Sequence, residues 1–254
     1  MYMNWNVNIN CSEVATKYLE VCSLASTSED VFNGFKKNSS YTPILEHASK
    51  EVGDDYLINI KKLCPELLNF EKFFDNDKFG NPNVCDFGFK TCSPTTLAYI
   101  HVLANLKNLY GSLDNYNIIE IGGGYGGQSK IINDYYNINS YSIVDLYEVT
   151  LLQNKYIEKL NIPNTKTFTS LSYPTTQTFD LVISDYAFTE VTDPLQSEYV
   201  KNIVLNSKHG WIASNGPITL LSDIESKFNV KKLPLPPSCK LGKYLTDKSC
   251  YITW

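Results

Sequence analysis

The spacing of apolar residues along the chain changes near position 80. Before it, apolar side chains recur three and four residues apart, which predicts amphipathic helices at residues 11–24, 41–52 and 54–68. Residues 75–83, DNDKFGNPN, have the composition of a loop. We therefore predict an N-terminal helical cap over residues 1–79 and a second domain over residues 80–254.

In the second part of the chain, short apolar runs alternate with helical stretches. A helix is predicted from Ser93 as N-cap, through Pro94 at its first position, to Gly111. Strands are predicted at residues 117–121, 140–144, 165–168, 181–184, 211–214, 229–233 and 251–254, and helices at 128–136, 147–160, 196–207 and 222–228. This alternation predicts an α/β fold with a mostly parallel sheet. No helix separates the last two strands, so we expect an antiparallel strand at the sheet edge.

Charge and composition exclude several classes of partner. The 22 basic residues, against 27 acidic ones, are all lysines, so no bidentate guanidinium contact to a phosphate or a base is available. A net charge of −5 also disfavours nucleic acid and anionic membranes. The first residues show no basic region followed by an apolar run, and no apolar run reaches the ~18 residues of a membrane span. We expect a cytoplasmic protein without membrane insertion.

Seven cysteines are present, and no two of them form a CxxC pair. This pattern predicts reduced thiols, with neither a zinc site nor a disulfide framework. We expect no bound metal; the alternative is a magnesium site at Asp185 and Asn215.

The strongest local motif is NIIEIGGGYGGQS, residues 117–129, in which glycines follow a predicted strand and precede a predicted helix. Glycines there let a ligand approach main-chain N–H groups at a helix start. Glu120, Gly122, Gly124 and Gly126 form the ExGxGxG pattern of S-adenosylmethionine-dependent methyltransferases. A carboxylate at the strand end suits a cationic ligand and would repel a pyrophosphate, which favours the sulfonium cofactor.

The same loop also fits a second interpretation. Gly122, Gly124 and Gly127 satisfy GxGxxG, and Asp145 lies at the distance expected of a ribose-binding acid, as in NAD-dependent oxidoreductases. Residues 244–248, YLTDK, match the YxxxK pattern of short-chain dehydrogenases, but in a segment with Gly and Asp where no helix is predicted to align the pair. This oxidoreductase remains the alternative enzyme class.

Three stretches carry a resemblance to a known family: IIEIGGGYGGQSKII, YSIVDLYEVTLLQNKYI and FDLVISDYAFTEVTDPLQSEYVKNIVLNSKHGWIASN. They resemble the sugar O-methyltransferases, a class I methyltransferase family met in polysaccharide and surface-glycan gene sets. The resemblance implies a Rossmann-like, mostly parallel seven-stranded sheet with an antiparallel last strand, plus a small N-terminal helical cap. It implies methyl transfer from S-adenosylmethionine to a hydroxyl of a sugar, in a nucleotide sugar or a surface-glycan precursor such as that of a capsule.

The resemblance also assigns cofactor-binding residues. It implies that Asp145 binds the ribose hydroxyls and that Leu146 flanks the adenine. An alternative for Asp145 is a helix N-cap. The remaining residues expected to contact the cofactor, most of them at its methionine end, are Glu120, Gly122, Gly123, Gly124, Gln128 and Ser184.

A sugar hydroxyl is barely ionised at neutral pH, so a general base is expected. The candidates are His47 on the cap, and Asp185, Tyr186 and Glu190, which follow the fourth strand where open α/β sheets place ligands. Each of these residues could instead cap a turn or pack. The alternative magnesium site at Asp185 and Asn215 would resemble the site of catechol methyltransferases. Family members often carry Asn at the position of Asp185, which keeps open a methyltransferase-like binding module without catalysis.

The other two histidines are expected to be structural. His101 lies among apolar residues of a predicted helix, and His209 is expected to cap a helix C-terminus. The expected partners are a small sugar or nucleotide-sugar acceptor and, as an assembly, a homodimer.

Overall fold

Seven strands form one sheet at the centre of the protein in a computed structural model that describes residues 13–170, 172–238 and 249–254. A separate hairpin pairs β1 (Cys85–Asp86) with β2 (Thr91–Cys92). The sheet strands are β3 (Asn117–Ile121), β4 (Ser140–Asp145), β5 (Thr165–Thr169), β6 (Phe179–Asp185), β7 (Ser207–Ser214), β8 (Lys231–Pro234) and β9 (Cys250–Thr253).

The strand order in the sheet is β5-β4-β3-β6-β7-β9-β8. The pairs among β5, β4, β3, β6 and β7 are parallel, and β9 is antiparallel to both β7 and β8. The predicted mostly parallel sheet of seven strands with an antiparallel last strand is therefore confirmed. Strands β4 and β5 lie on one side of β3, whereas β6 and β7, which come next in the chain, lie on the other side. Ligands of open α/β sheets bind where the strand order reverses in this way.

Nine helices accompany the strands in the described residues. They are α1 (Glu13–Thr27), α2 (Glu29–Phe32), α3 (Lys50–Leu63), α4 (Pro94–Tyr110), α5 (Gly127–Tyr135), α6 (Tyr147–Leu160), α7 (Ala187–Glu190), α8 (Asp193–Asn202) and α9 (Leu221–Lys227). The Ser93 hydroxyl accepts a hydrogen bond from the Thr96 N–H, so α4 starts as predicted. No helix of the described residues is long and apolar enough to cross a membrane.

The helix predicted at residues 41–52 is wrong. Residues 41–46 form turns, and α3 begins only at Lys50, because the Ser49 hydroxyl accepts a hydrogen bond from the Val52 N–H and caps the helix there. The helix predicted at residues 54–68 ends early, at Leu63. Cys64 precedes a proline, which disfavours helical dihedrals at that residue, and a 3-10 turn follows.

The predicted helix at 196–207 is also displaced. Pro194 lies in the first turn of α8, which ends at Asn202, and Ser207 already belongs to β7. His209 therefore lies in a strand, where its ring stacks on the Tyr110 ring at 4.6 Å, and the expected helix cap is wrong. Both predictions fail because β7 begins at Ser207, four residues before the predicted strand at 211–214.

The N-terminal segment and the sheet share one hydrophobic cluster. It includes Tyr18, Phe35 and Tyr41 from before residue 80, and Ile143 and Trp211 from the strands. The predicted division at residues 79 and 80 remains a prediction.

A buried polar network lies within this cluster, to which Tyr125 and Tyr156 belong. The side-chain amide of Asn76, a residue with no exposed surface, donates to the Thr96 hydroxyl at 2.7 Å and to the Tyr125 hydroxyl at 2.9 Å. The side-chain carbonyl oxygen of Asn76, Oδ1, accepts a hydrogen bond from the Tyr156 hydroxyl at 2.7 Å. Asn76 thus joins the N-terminal segment to α4, to the loop after β3 and to α6.

Replacing Asn76 by Ala should destabilise the protein by about 3 kcal/mol, because buried hydroxyls lose their partners without access to water. The free energy of unfolding in urea measures this change. Asn154→Ala, at an exposed position on α6, is the matched control and should cost less than about 0.5 kcal/mol. Equal effects of the two substitutions would contradict the structural role of Asn76.

Candidate functional site

The loop between β3 and α5, residues 122–127, is called the glycine loop below. Gly122 has a φ of +75° and Gly124 a φ of +55°, the left-handed region that favours glycine. A Cβ atom at Gly122 would lie 2.0 Å from the Cβ of Ala187, so the loop packs directly on α7. The loop therefore has the tight turn and close approach that its sequence predicts.

Three predicted carboxylates lie at the carboxyl ends of three neighbouring strands. Glu120 is near the end of β3, Asp145 ends β4 and Asp185 ends β6. Glu120 is 2% exposed. Asp145 and Asp185 are partly exposed as residues, but their carboxyl groups are withdrawn from water far enough to change their pKa values.

Desolvation dominates the electrostatics of this carboxylate cluster. Burial, reinforced by the negative charge of Asp185, raises the pKa of Glu120 to about 8, although the Tyr141 hydroxyl donates to its Oε2 at 3.0 Å. Burial likewise raises the pKa of Asp145 and that of Asp185 to about 6. Among the ion pairs of the described residues, none includes any of these three carboxylates. The site is therefore short of positive charge.

Gln153 is a residue of this site that the sequence analysis missed. Its side-chain amide donates to the Gly124 carbonyl at 2.8 Å and to Oδ2 of Asp145 at 2.9 Å, so it fixes the glycine loop against the end of β4. The other Asp145 oxygen accepts from the Leu146 N–H at 2.8 Å, just before α6. The available signal was a polar side chain on the buried face of α6, between Leu152 and Tyr156.

Gln128 and Ser184 are both fully buried, with different consequences. The Gln128 amide donates to the Tyr99 carbonyl at 3.4 Å, while its Oε1 has no hydrogen-bond partner. The Ser184 hydroxyl donates to the Ile121 carbonyl at 2.7 Å and accepts from the Phe188 N–H at 3.0 Å. Gln128 retains a free acceptor, whereas Ser184 fastens α7 to the end of β3.

The N-terminal segment covers the glycine loop. The methyl carbons of Leu45 lie 2.8 Å from the position of a Cβ at Gly124, so this side chain rests on the loop. Glu46 is buried beside it, and His47 follows at the surface. Two ionisable side chains therefore directly follow the residue that contacts the glycine loop.

The charge of Glu190 acts on the imidazole of His47. Desolvation lowers the pKa of His47, and the negative charge of Glu190 opposes this lowering. Glu190 accepts a hydrogen bond from the Asn215 amide at 3.0 Å, and Asn215 in turn accepts one from the Thr189 hydroxyl at 2.5 Å. Tyr186, with a φ of +70°, forms the sharp turn into α7.

Two further residues considered in the sequence analysis, Asp185 and His101, are hydrogen-bonded to buried side chains. Asp185 accepts a hydrogen bond from the Trp211 indole at 3.1 Å. His101 is buried beside Tyr251 and Asn105, and desolvation lowers its pKa to about 3, as expected of a core histidine. Residues 244–248, which carry the YxxxK match, lie outside the described residues. Within the described residues, no three metal-ligating side chains converge.

Comparisons with known proteins identify no family for this chain. No family model matches it, and no curated protein does. Similar solved structures include a Galdieria sulphuraria protein provisionally described as a sarcosine dimethylglycine methyltransferase, with 16% identity, a TM-score of 0.41 and coverage of 48% of this chain. The chain spans only 46% of that protein.

Two further solved structures have comparable similarity. The methyltransferase domain of bacterial CtHen1-CN has 13% identity and a TM-score of 0.45, with coverage of 61% of this chain and 96% of that one. Coclaurine N-methyltransferase, bound to N-methylheliamine and SAH, has 13% identity and a TM-score of 0.41, with coverage of 79% of this chain and 62% of that one.

Gly122→Ala should destabilise the protein by about 3 kcal/mol or more, because it adds a clash with Ala187 to the cost of a positive φ. Gly88→Ala is the matched control: its φ is +80°, and a Cβ there meets no atom within 4 Å, so it should cost only about 1 kcal/mol. Chemical unfolding measures both values. A Gly122 variant as stable as the Gly88 variant would refute the packing of the loop on α7.

Proposed function

We propose that the protein is an S-adenosylmethionine-dependent O-methyltransferase that methylates a sugar hydroxyl. The observation that carries the proposal is the carboxylate cluster around the glycine loop, with no cation paired to it in the described part of the chain. S-adenosylmethionine bears a sulfonium and an ammonium group, both of which a carboxylate stabilises. The pyrophosphate of a dinucleotide would add negative charge to the same place, so this feature disfavours the oxidoreductase.

The residues present fit that cofactor. Buried side-chain oxygens without partners, which a ligand can satisfy, occur on Gln128 and Gln153 next to the glycine loop. In the proposed site, Glu120 and the glycine loop would hold the methionine end of the cofactor, Asp145 would bind the ribose hydroxyls, and Leu146 would flank the adenine. When bound, the cofactor supplies an electrophilic methyl group.

The chain's own contribution to the reaction is to orient the acceptor hydroxyl and to accept its proton. We assign the general base to His47, because it follows the segment that rests on the glycine loop and because the charge of Glu190 favours its protonated form. Glu190, held by Asn215, stabilises the imidazolium that forms when the proton arrives. Asp185 is less suited, since the Trp211 indole already binds its carboxylate.

A sugar acceptor is supported by the polar groups of His47, Glu190 and the residues linked to Glu190 by hydrogen bonds, and by the family resemblance of the sequence. Imidazole, carboxylate, amide and hydroxyl groups of His47, Glu190, Asn215 and Thr189 provide the donors and acceptors that a polyol requires. In this proposal residues 1–79 form the cap over the acceptor and residues 80–254 the catalytic domain. A nucleotide sugar or a surface-glycan precursor is the proposed substrate.

Titration calorimetry with S-adenosylhomocysteine and with NADH tests the cofactor class. We expect binding of the first ligand alone, and Asp145→Asn should weaken that binding by about tenfold, because the ribose loses a charged acceptor. Asn154→Ala is the exposed control and should leave binding unchanged. Binding of NADH alone would establish the oxidoreductase instead.

A positive binding result justifies a transfer assay with labelled cofactor and a panel of nucleotide sugars and glycans. Transfer to a sugar hydroxyl supports the proposal. Transfer only to acceptors without a sugar would overturn the substrate class, and binding without any turnover would leave a binding module.

The partnership of His47 and Glu190 can be tested without a substrate, because the chain has only three histidines. NMR titration of the imidazole signals, with His47→Gln to assign one of them, should give His47 a pKa below its usual value. Glu190→Gln should lower that pKa further, since it removes the charge that favours the imidazolium. Glu225→Gln, on α9, is the control and should have no effect.

If His47 is the base, kcat/KM must fall as the pH drops through this lowered pKa, and Glu190→Gln must shift that fall to lower pH. If the pKa of His47 does not change in Glu190→Gln, the proposed pairing of His47 with Glu190 is wrong.

A further inference from the structure

Glu46 is a buried carboxylate for which neither the glycine-loop motif nor the family resemblance assigns a role. It is 8% exposed, and its Oε2 accepts a hydrogen bond from the Thr95 hydroxyl at 2.9 Å. Its Oε1 is buried and has no partner at good hydrogen-bond geometry, although the Tyr125 hydroxyl is near enough to oppose the rise that burial causes in the pKa of this carboxyl group. An ionised oxygen in that condition is costly, so the structure retains an acceptor that a ligand can use.

The nearest cation does not neutralise Glu46 directly. Lys36 is fully buried. Its ammonium group donates a hydrogen bond to the main-chain carbonyl oxygen of Asn76 at 2.7 Å and lies 4.0 Å from the centre of the Tyr125 ring. No ion pair joins Lys36 to Glu46 among the described residues, although its charge still acts on Glu46 at longer range. In the part of the chain that the structure describes, Glu46 therefore has no cation within ion-pair distance, and the acceptor capacity of its carboxylate is not used by a lysine.

Glu46 lies close to the proposed methionine end of the cofactor. Its neighbour Leu45 rests on Gly124. Thr95, which binds Glu46, and Tyr99, whose carbonyl binds Gln128, are one turn apart on α4, about 6 Å along the helix axis. Helix α4 thus holds Glu46 and Gln128, each with an unsatisfied acceptor oxygen, on successive turns.

We propose that Glu46 binds the α-ammonium group of the methionine moiety, with Gln128 as a second acceptor. The inference rests on the proposed function and extends it to a residue of the N-terminal segment. An ammonium group offers three donors and a positive charge, which matches two acceptor oxygens, one of them ionised. The carboxylate of the same moiety would be repelled by Glu46 and is not its ligand.

The test compares two ligands that differ by this one group. S-adenosylhomocysteine carries the α-ammonium, and 5′-deoxy-5′-(3-carboxypropylthio)adenosine is the same molecule without it. Calorimetry should show that Glu46→Gln weakens S-adenosylhomocysteine binding about 30-fold or more, as for a buried charge pair that loses one partner. Binding of the deaminated ligand should change by less than about threefold, because it has no ammonium group for Glu46 to bind.

Two further variants complete the design. Glu158→Gln, an isosteric change at an exposed position on α6, should alter neither affinity. Glu46→Asp keeps the charge on a shorter side chain and should cause a smaller loss, again for S-adenosylhomocysteine alone. Thermal unfolding followed by circular dichroism verifies that each variant is folded. If neither Glu46 variant folds, the wild-type protein must still prefer S-adenosylhomocysteine over the deaminated ligand about 30-fold.

Each result has a distinct meaning. Equal losses for the two ligands would show that Glu46 only supports the fold, and unchanged affinity for S-adenosylhomocysteine would show that it does not face the ammonium group. Either result, or a wild-type protein that binds both ligands equally, overturns the assignment of Glu46 while the proposed cofactor stands. A wild-type protein that binds neither ligand overturns the proposed function, and this inference with it.

Discussion

Carboxyl groups withdrawn from water at the ends of neighbouring strands set the electrostatic condition that the rest of the site must meet. Glu120, Asp145 and Asp185 belong to β3, β4 and β6, which are adjacent in the sheet, so their positions follow from the strand order alone. Hydrogen bonds from Tyr141 and Gln153 compensate part of the desolvation. The remaining cost is one that a cationic ligand removes, which is why the geometry favours a sulfonium cofactor over a dinucleotide.

The second constraint is the contact between the N-terminal segment and the glycine loop. Leu45 rests on Gly124, and Asn76 binds the hydroxyl of Tyr125, the aromatic residue within the loop. The ammonium group of Lys36 lies over the Tyr125 ring. Residues before position 80 therefore hold the glycine loop in place, and Glu46 and His47 directly follow the residue that contacts it.

The sequence predicted the sheet well because two signals agreed there. Strand β3 and helix α6 have the predicted bounds, since buried apolar runs and loop residues mark both of their ends. At residues 41–52 apolar residues also recur at helical spacing, but there Leu45 packs on Gly124 and Ser49 caps the next helix. Apolar residues three and four apart occur both on the buried face of a helix and in a turn that contacts a distant loop. The sequence alone cannot distinguish these two structures.

For the candidate site, the motif located the glycine loop and the strand-end carboxylates, whereas the supporting residues had no motif. Gln153, Glu46 and Asn76 are polar residues of types common on surfaces, and only the tertiary structure shows that they are buried and what they bind. The effect of the Glu190 charge on His47 was equally inaccessible, because these residues belong to segments that are far apart in the chain.

The most direct test of the account is the number of protons released when the sulfonium cofactor binds, measured by calorimetry at pH 7 in buffers of different ionisation enthalpy. Because the pKa of Glu120 is about 8, its carboxyl group is mostly protonated at this pH and must ionise beside a cation. We predict release of about one proton from Glu120 and a smaller share from Glu46, whose pKa is raised to about 7, so Glu120→Gln should remove the larger part of the release. Binding without proton exchange, or with proton uptake, would contradict the claim that the carboxylate cluster is built to receive positive charge.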